Sequence, residues 1–332
     1  MARQVPMQLT RRALHALLCL KVAMALGCEP GHQVRAAPSP PATTRAVAGP
    51  VTLDVRDLTP KFLAFYGAAS KEGVTAEQRW ALWRSMYDFA AVPPGPDGEA
   101  MARTLLDHAW PEYPSVLDRI RTQPAVLVDQ AHQDVDRIGA LLQLDRPVEI
   151  QLVLYVGALE TNAFTYVPDD GRPHVALPVE GRPGQATLLA AHELTHAIHL
   201  PLARLPGGWE RSIAQTILTE GLAMHVVKAL YPGRPDAAYT EATPGWYGEA
   251  SARRDAILRG IRPFLAAKDG ATVGRFTMGK GSTGLEREAY YAGWLVVDRL
   301  LRNGESFAQI ARVPEQQLVG VVGAAIDAVA GR

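Results

Sequence analysis

Between residues 188 and 201 the chain reads LLAAHELTHAIHLP, and His192, Glu193, His196 and His199 interrupt an otherwise apolar run. Each of these side chains is costly to desolvate, so a buried helix carrying all four needs a compensating partner for them. Positions i and i+4 of a helix share one face, about 6 Å apart along the axis. His192 and His196 therefore converge on one point and can share one metal ion at about 2.0–2.1 Å. Glu193 stands beside them, able to reach a water on that ion without ligating it. H-E-x-x-H is the pattern of a centre that activates water, with one Zn2+ ion and Glu193 as general base.

A catalytic zinc takes three protein ligands and keeps one position open. The third ligand expected is Glu220, in SIAQTILTEGLAMHVVKALYP. Ile213, Ile217, Glu220, Met224 and Val227 recur at spacings of four, three, four and three, a core stripe with a carboxylate at its centre. A carboxylate there must sit on a metal, pair with a basic side chain from elsewhere, or be protonated. Gly221 beside it permits close backbone approach. The other histidines have weaker claims. His199 lacks the glycine and histidine of a longer H-x-x-G-x-x-H run and reads as a supporting or solvent-facing side chain. His225 lies about 140° around the helix from Glu220 and reads as a packed or supporting histidine. His174, on a strand, either contacts substrate or belongs to an ordinary hairpin. Cys19 and Cys28 are the only cysteines, so from Glu29 onward no thiolate ligand and no internal disulfide is available.

These residues need elements to position them. From Leu58 to about Leu144 the pattern is helical, with a capping box at Thr75–Gln78 ahead of RWALWRSMYDFA. AVPPGPDG (91–98) breaks it, and further helices are expected over 99–110 and 126–144. At Pro147 the texture changes. VEIQLVLYVG (148–157), NAFTYV (162–167) and HVALPV (174–179) predict a small, largely antiparallel sheet ahead of the HELTH helix, which Pro201 is expected to end. Later helices are predicted over 212–231, 250–267, 286–302 and 315–329. Helices, then strands, then helices make the class α+β, with a helical region over 51–145 and a catalytic region over 146–332.

HELTH, then TEGLA with Glu220 24 residues after His196, then YYAGWLV, resembles the gluzincin class of metallopeptidases. The string is similar in particular to bacterial families of predicted zinc-dependent proteases that pair HExxH with a downstream E-G-L-A and a helical Y-x-x-G. The resemblance covers about residues 150–302. It implies a mostly helical, zincin-like fold, with His192, His196 and Glu220 as zinc ligands and Glu193 as catalytic base. Water on the zinc, acidified to a pKa of about 7, would attack a peptide carbonyl while Glu193 takes its proton and passes it to the leaving amine. Tyr290, the tyrosine of Y-x-x-G, is expected to hold the oxyanion; Tyr291 is the alternative, and both can instead be core aromatics. ETNAFTYV (160–167) is loosely similar to the N-A-F edge strand of thermolysin-like enzymes, where backbone pairing would accept an extended peptide; an ordinary hairpin strand is the other reading. Thermolysin-like enzymes carry an acid four residues after the ligand glutamate. Met224 stands there, so the ligands must be supported differently. GKGSTG (279–284) spells G-x-G-x-x-G, but without a surrounding βαβ unit it reads as a loop before the Tyr290 helix.

Of the 332 residues, Lys+Arg and Asp+Glu each number 34, and no dense basic block appears, which excludes a polyanion such as nucleic acid as the expected partner. Residues 1–28 read as an export signal, basic at Arg3, Arg11 and Arg12, with an apolar run too short to span a membrane. Its end, ALGC, resembles a bacterial lipobox with Cys28 as the lipidated residue; a plain signal cut near Ala36-Ala37 is the alternative. Residues 29–50 are a Pro/Ala-rich tether. The expectation is an exported zinc metallopeptidase of the bacterial cell envelope, acting on peptide or protein and held to the membrane through Cys28. Two rivals stay open: a non-catalytic envelope lipoprotein keeping the same fold, and an amidase acting on a cell-wall substrate.

Overall fold

The alternation in VTLDVRD buries Val51, Leu53 and Val55 and leaves Thr52, Asp54 and Arg56 partly exposed, which makes residues 51–57 a strand with one face to the core. The computed structural model describes residues 44–48, 50–92, 95–159, 162–168, 170–208, 211–240 and 243–331. The export signal with Cys28, most of the tether, and Glu160 and Thr161 of the ETNAFTYV segment lie outside the described residues.

Strands β1 (Thr44–Ala48), β2 (Val51–Asp57), β3 (Val148–Tyr155), β4 (Phe164–Tyr166) and β5 (His174–Pro178) form one sheet in the order β1-β2-β3-β5-β4. The three inner strands run parallel, and β1 and β4 are antiparallel edges. The sheet is thus mixed rather than largely antiparallel. The chain leaves β3, makes β4 at the far edge and returns to place β5 between them, while β2, unforeseen ahead of the helical pattern, pairs in parallel with β3. Burial of Leu152 to Tyr155 and of Val175 to Pro178 on successive positions fits inner strands covered on both faces.

Around the sheet lie α1 (Thr59–Ala69), α2 (Ala76–Met86), α3 (Pro96–Ala109), α4 (Leu117–Leu141), α5 (Pro183–Ala203) and α6 (Ile213–Leu230). Short helices α7 (Ala237–Thr240), α8 (Trp246–Ala252), α9 (Arg254–Ile261) and α10 (Gly270–Thr277) follow, then α11 (Glu288–Arg302), α12 (Phe307–Ile310) and α13 (Glu315–Val329). The protein is mostly helical with a small mixed sheet, an α+β arrangement. The capping box forms: Thr75 Oγ1 accepts from Gln78 N at 3.2 Å, and Gln78 Oε1 from Thr75 N at 2.9 Å. The helix predicted over 250–267 is α8, α9 and a 3-10 turn, interrupted at Arg253. Pro201 does not end α5. It lies inside the last turn, where a missing N–H costs one bond, and the stop comes at left-handed Arg204 (φ 55°), with Leu205 N donating to Leu200 O at 2.9 Å.

Helix α6 is the centre of the molecule. Every residue from Ile213 to Val227 is buried, with α5, α11 and α13 packed around it. One apolar core runs from β2 and α1 through to α13, so residues 51–145 and 146–332 share both a sheet and a core. Among the described residues no helix is long and apolar enough to cross a membrane.

Candidate metal centre

His192 and His196 stack on the face of α5 that meets α6, and Glu220 faces them from the middle of α6. His196 Nε2 lies 3.0 Å from His192 Nε2, and Glu220 Oε2 lies 3.1 Å and 3.3 Å from the two imidazoles. Four donors at 2.0–2.1 Å around a tetrahedral ion stand about 3.3–3.4 Å apart. The observed triangle is close to one face of that tetrahedron, so the donor set fits a divalent ion of zinc's size and preference. These three residues can hold a metal ion.

The electrostatics favour the same arrangement. Burial raises the Glu220 pKa, but the charge of His196, the hydrogen bonds from His192 and His196, and the charge of His192 outweigh it and hold the carboxyl well below its usual range. Burial lowers the His196 pKa, and the charge and hydrogen bond of Glu220, with Glu193 behind, carry it above the ordinary value. Glu220 also meets a basic side chain: Arg211 approaches Oε1 at 3.4 Å and bonds Thr216 Oγ1 at 3.2 Å. The pairing with a basic side chain is thus made at Oε1, while Oε2 faces the two imidazoles. Sequence reasoning missed Arg211, because the segment between α5 and α6 has no periodicity to mark it.

Glu193, buried next to His192 on α5, is held by a residue from the sheet. Thr165 Oγ1 lies 2.7 Å from Glu193 Oε2 and 2.9 Å from its backbone oxygen. Thr165 is the one residue of β4 whose side chain faces α5, since Phe164 and Tyr166 point the other way. The edge strand is thereby tied to the acid that would act as base. His174 pairs in register with Tyr166 and shares its face, bonding the phenol oxygen at 2.8 Å. It lies on the side of the sheet opposite Thr165, away from Glu193.

Tyr290 and Tyr291 part company. Tyr291 is buried against Trp246 and Tyr247 in a separate apolar cluster. Burial, with the charge of Glu220, pushes the Tyr290 hydroxyl up to about 12; Arg287 and Arg211 oppose this and Glu193 adds to it. Tyr290 is therefore the tyrosine in the neighbourhood of Glu220 and Glu193. Its position depends on two glycines. A Cβ on Gly221 would overlap the Gly293 carbonyl, and one on Gly293 would overlap the Ile217 carbonyl, so α6 and α11 cross in direct backbone contact. The GKGSTG loop holds the start of α11. The Glu288 carboxylate accepts from Ser282 N and Oγ and from Thr283 N and Oγ1 at 2.6–2.7 Å, which engages the loop's donors internally.

The remaining histidines are structural. His225 stacks on Trp294, ring centroids 4.1 Å apart, and its Nε2 donates to the Trp294 carbonyl at 2.9 Å. His199 is wholly buried, and its ring nitrogens meet at most the Ala311 backbone, outside good hydrogen-bond geometry, so it neither faces solvent nor bonds His192, His196 or Glu220. Burial and the charge of His196 hold its pKa down to about 3, with the Ala311 backbone opposing only in part. Unfolded histidine titrates near 6.5, so stability should fall as pH drops through this window, by about 1.4 kcal/mol per unit. His199→Leu removes both the poorly satisfied ring nitrogens and the titration. We expect it to add about 1–3 kcal/mol at neutral pH and to flatten the slope between pH 6 and 4, with metal content unchanged. Urea unfolding at four pH values checks this; a less stable variant contradicts it.

No family model and no curated protein matches the chain.

Proposed function

We propose that this protein is a zinc-dependent metallopeptidase with a zincin-like fold. The observation that carries the reading is the triangle of His192, His196 and Glu220 donors with Glu193 fixed beside it. When bound, the ion supplies Lewis-acid polarisation of a carbonyl and lowers the pKa of a coordinated water. The chain does the rest. Glu193, oriented by the Thr165 hydroxyl, takes the proton of the attacking water and delivers it to the departing nitrogen. Tyr290 donates its hydroxyl to the developing oxyanion; its raised pKa keeps it protonated for that task throughout the physiological range. The edge of β4, unpaired among the described residues, accepts an extended peptide by backbone pairing, beside the base that β4 itself steadies. Arg211 takes up Glu220 Oε1, and Oε2, between the two imidazoles, is the oxygen that would hold the ion.

Metal analysis of full-length protein purified without added metal tests the proposal, together with a peptide-library digest run beside cell-wall fragments. About one equivalent of zinc and cleavage of peptides are expected. Less than half an equivalent, or cleavage of the cell-wall material alone, sinks the peptidase reading, and the second outcome favours the amidase. A role in the cell envelope rests on Cys28. Palmitate should label the wild type and not Cys28→Ser, and an unlabelled wild type removes the anchor.

A further inference from the structure

Arg287 has no part in the chemistry above. It opens α11 in the left-handed region (φ 60°), a backbone state that a non-glycine residue keeps when its surroundings impose it. Its guanidinium lies over the Tyr290 ring, Cζ 3.6 Å from the centroid. The side chain is partly exposed, its buried Nε has no hydrogen-bond partner, and no carboxylate pairs with it among the described residues. Arg211 stands on Glu220 in the same neighbourhood, for both arginines and both glutamates act on the Tyr290 hydroxyl. With a divalent ion in place, two guanidiniums and the ion face two carboxylates, which leaves an excess of two positive charges among partly buried side chains around Tyr290. A neutral peptide backbone does not answer that excess, and the developing oxyanion answers only half of it. A carboxylate does, and the planar fork of an arginine matches its two oxygens.

We propose that the site prefers peptides with a free C-terminal carboxylate close to the scissile bond, and that Arg287 binds that carboxylate. This rests on the peptidase reading for its substrate class, but recognition is measurable without turnover. The experiment uses full-length, zinc-loaded Glu193→Gln protein, immobilised and presented with N-acetylated tripeptides made once as free acids and once as C-terminal amides. Retention is read by mass spectrometry. Acids should be held at least ten-fold better than the matching amides, and Arg287→Gln in the same background should bring the two within two-fold at unchanged zinc content. Should that variant fold poorly, Arg287→Lys keeps a cation but loses the fork, and an intermediate preference is expected.

Equal retention of acid and amide, retention of neither, or a preference that survives Arg287→Gln overturns the proposal. Wild-type turnover on the same peptides separates the two readings. Cleavage of acids and amides at equal rates removes the carboxylate preference and keeps the peptidase. Retention of acids through Arg287 without cleavage keeps the recognition and removes the peptidase.

Discussion

Replacing Glu193 by Gln should lower kcat for peptide hydrolysis by about a thousand-fold or more while the protein keeps its zinc. The amide matches the carboxylate in volume and keeps a partner for Thr165, so folding and metal binding have no reason to change. What it lacks is the ability to accept a proton. Because the base acts only as the transition state forms, KM should move little. Glu220→Ala makes the contrast: it cuts the donor set from three to two, so metal content should fall along with activity. Metal analysis and turnover on the same two preparations distinguish them. A Glu193→Gln protein as active as wild type would remove the mechanism, and a Glu220→Ala protein that holds zinc at full stoichiometry would remove the site.

Gly221→Ala should cost about 3 kcal/mol or more of folding stability, against the usual sign for such a change. In a helix interior, alanine ordinarily improves on glycine by about 0.5–1 kcal/mol. Here the new methyl would overlap the Gly293 carbonyl, and backbone cannot swing aside as a flexible side chain does. The two helices would have to separate, carrying Glu220 away from the imidazoles and Tyr290 away from Glu220, so zinc affinity should fall with stability. Gly320→Ala is the control. On α13 nothing lies within 4 Å of an added Cβ, and the substitution should be neutral or stabilising. Denaturant melts of the two variants beside wild type check both signs.

The parts of this site that the amino-acid order makes legible are the local ones. His192 and His196 follow from helical spacing alone, and Glu220 from its place at the centre of an apolar stripe. The bounds of α13 follow from an uninterrupted amphipathic pattern. The structure narrows the choice between Tyr290 and Tyr291, which spacing leaves open because adjacent helix positions differ only in what packs against them. What escaped notice depends on distant pairing. Strand β2 is a seven-residue alternation whose partner lies some ninety residues on, and without that partner it reads as the approach to α1. Thr165 matters because β4 sits at the edge facing α5, a fact of sheet order. Arg211 matters because α6 folds back on α5. The GKGSTG loop shows the converse: Gly281 is used for close approach, to Glu288 of this chain rather than to a phosphate.

The acid donor is carried by a helix with no solvent-facing residue from Ile213 to Val227, and that ties ion affinity to the durability of the whole polypeptide. Whatever binds only the native state deepens it by mass action, and the effect grows with free ion concentration. On the proposed reading, the first sign of ion scarcity would then be faster clearance of the chain rather than a standing pool of idle copies.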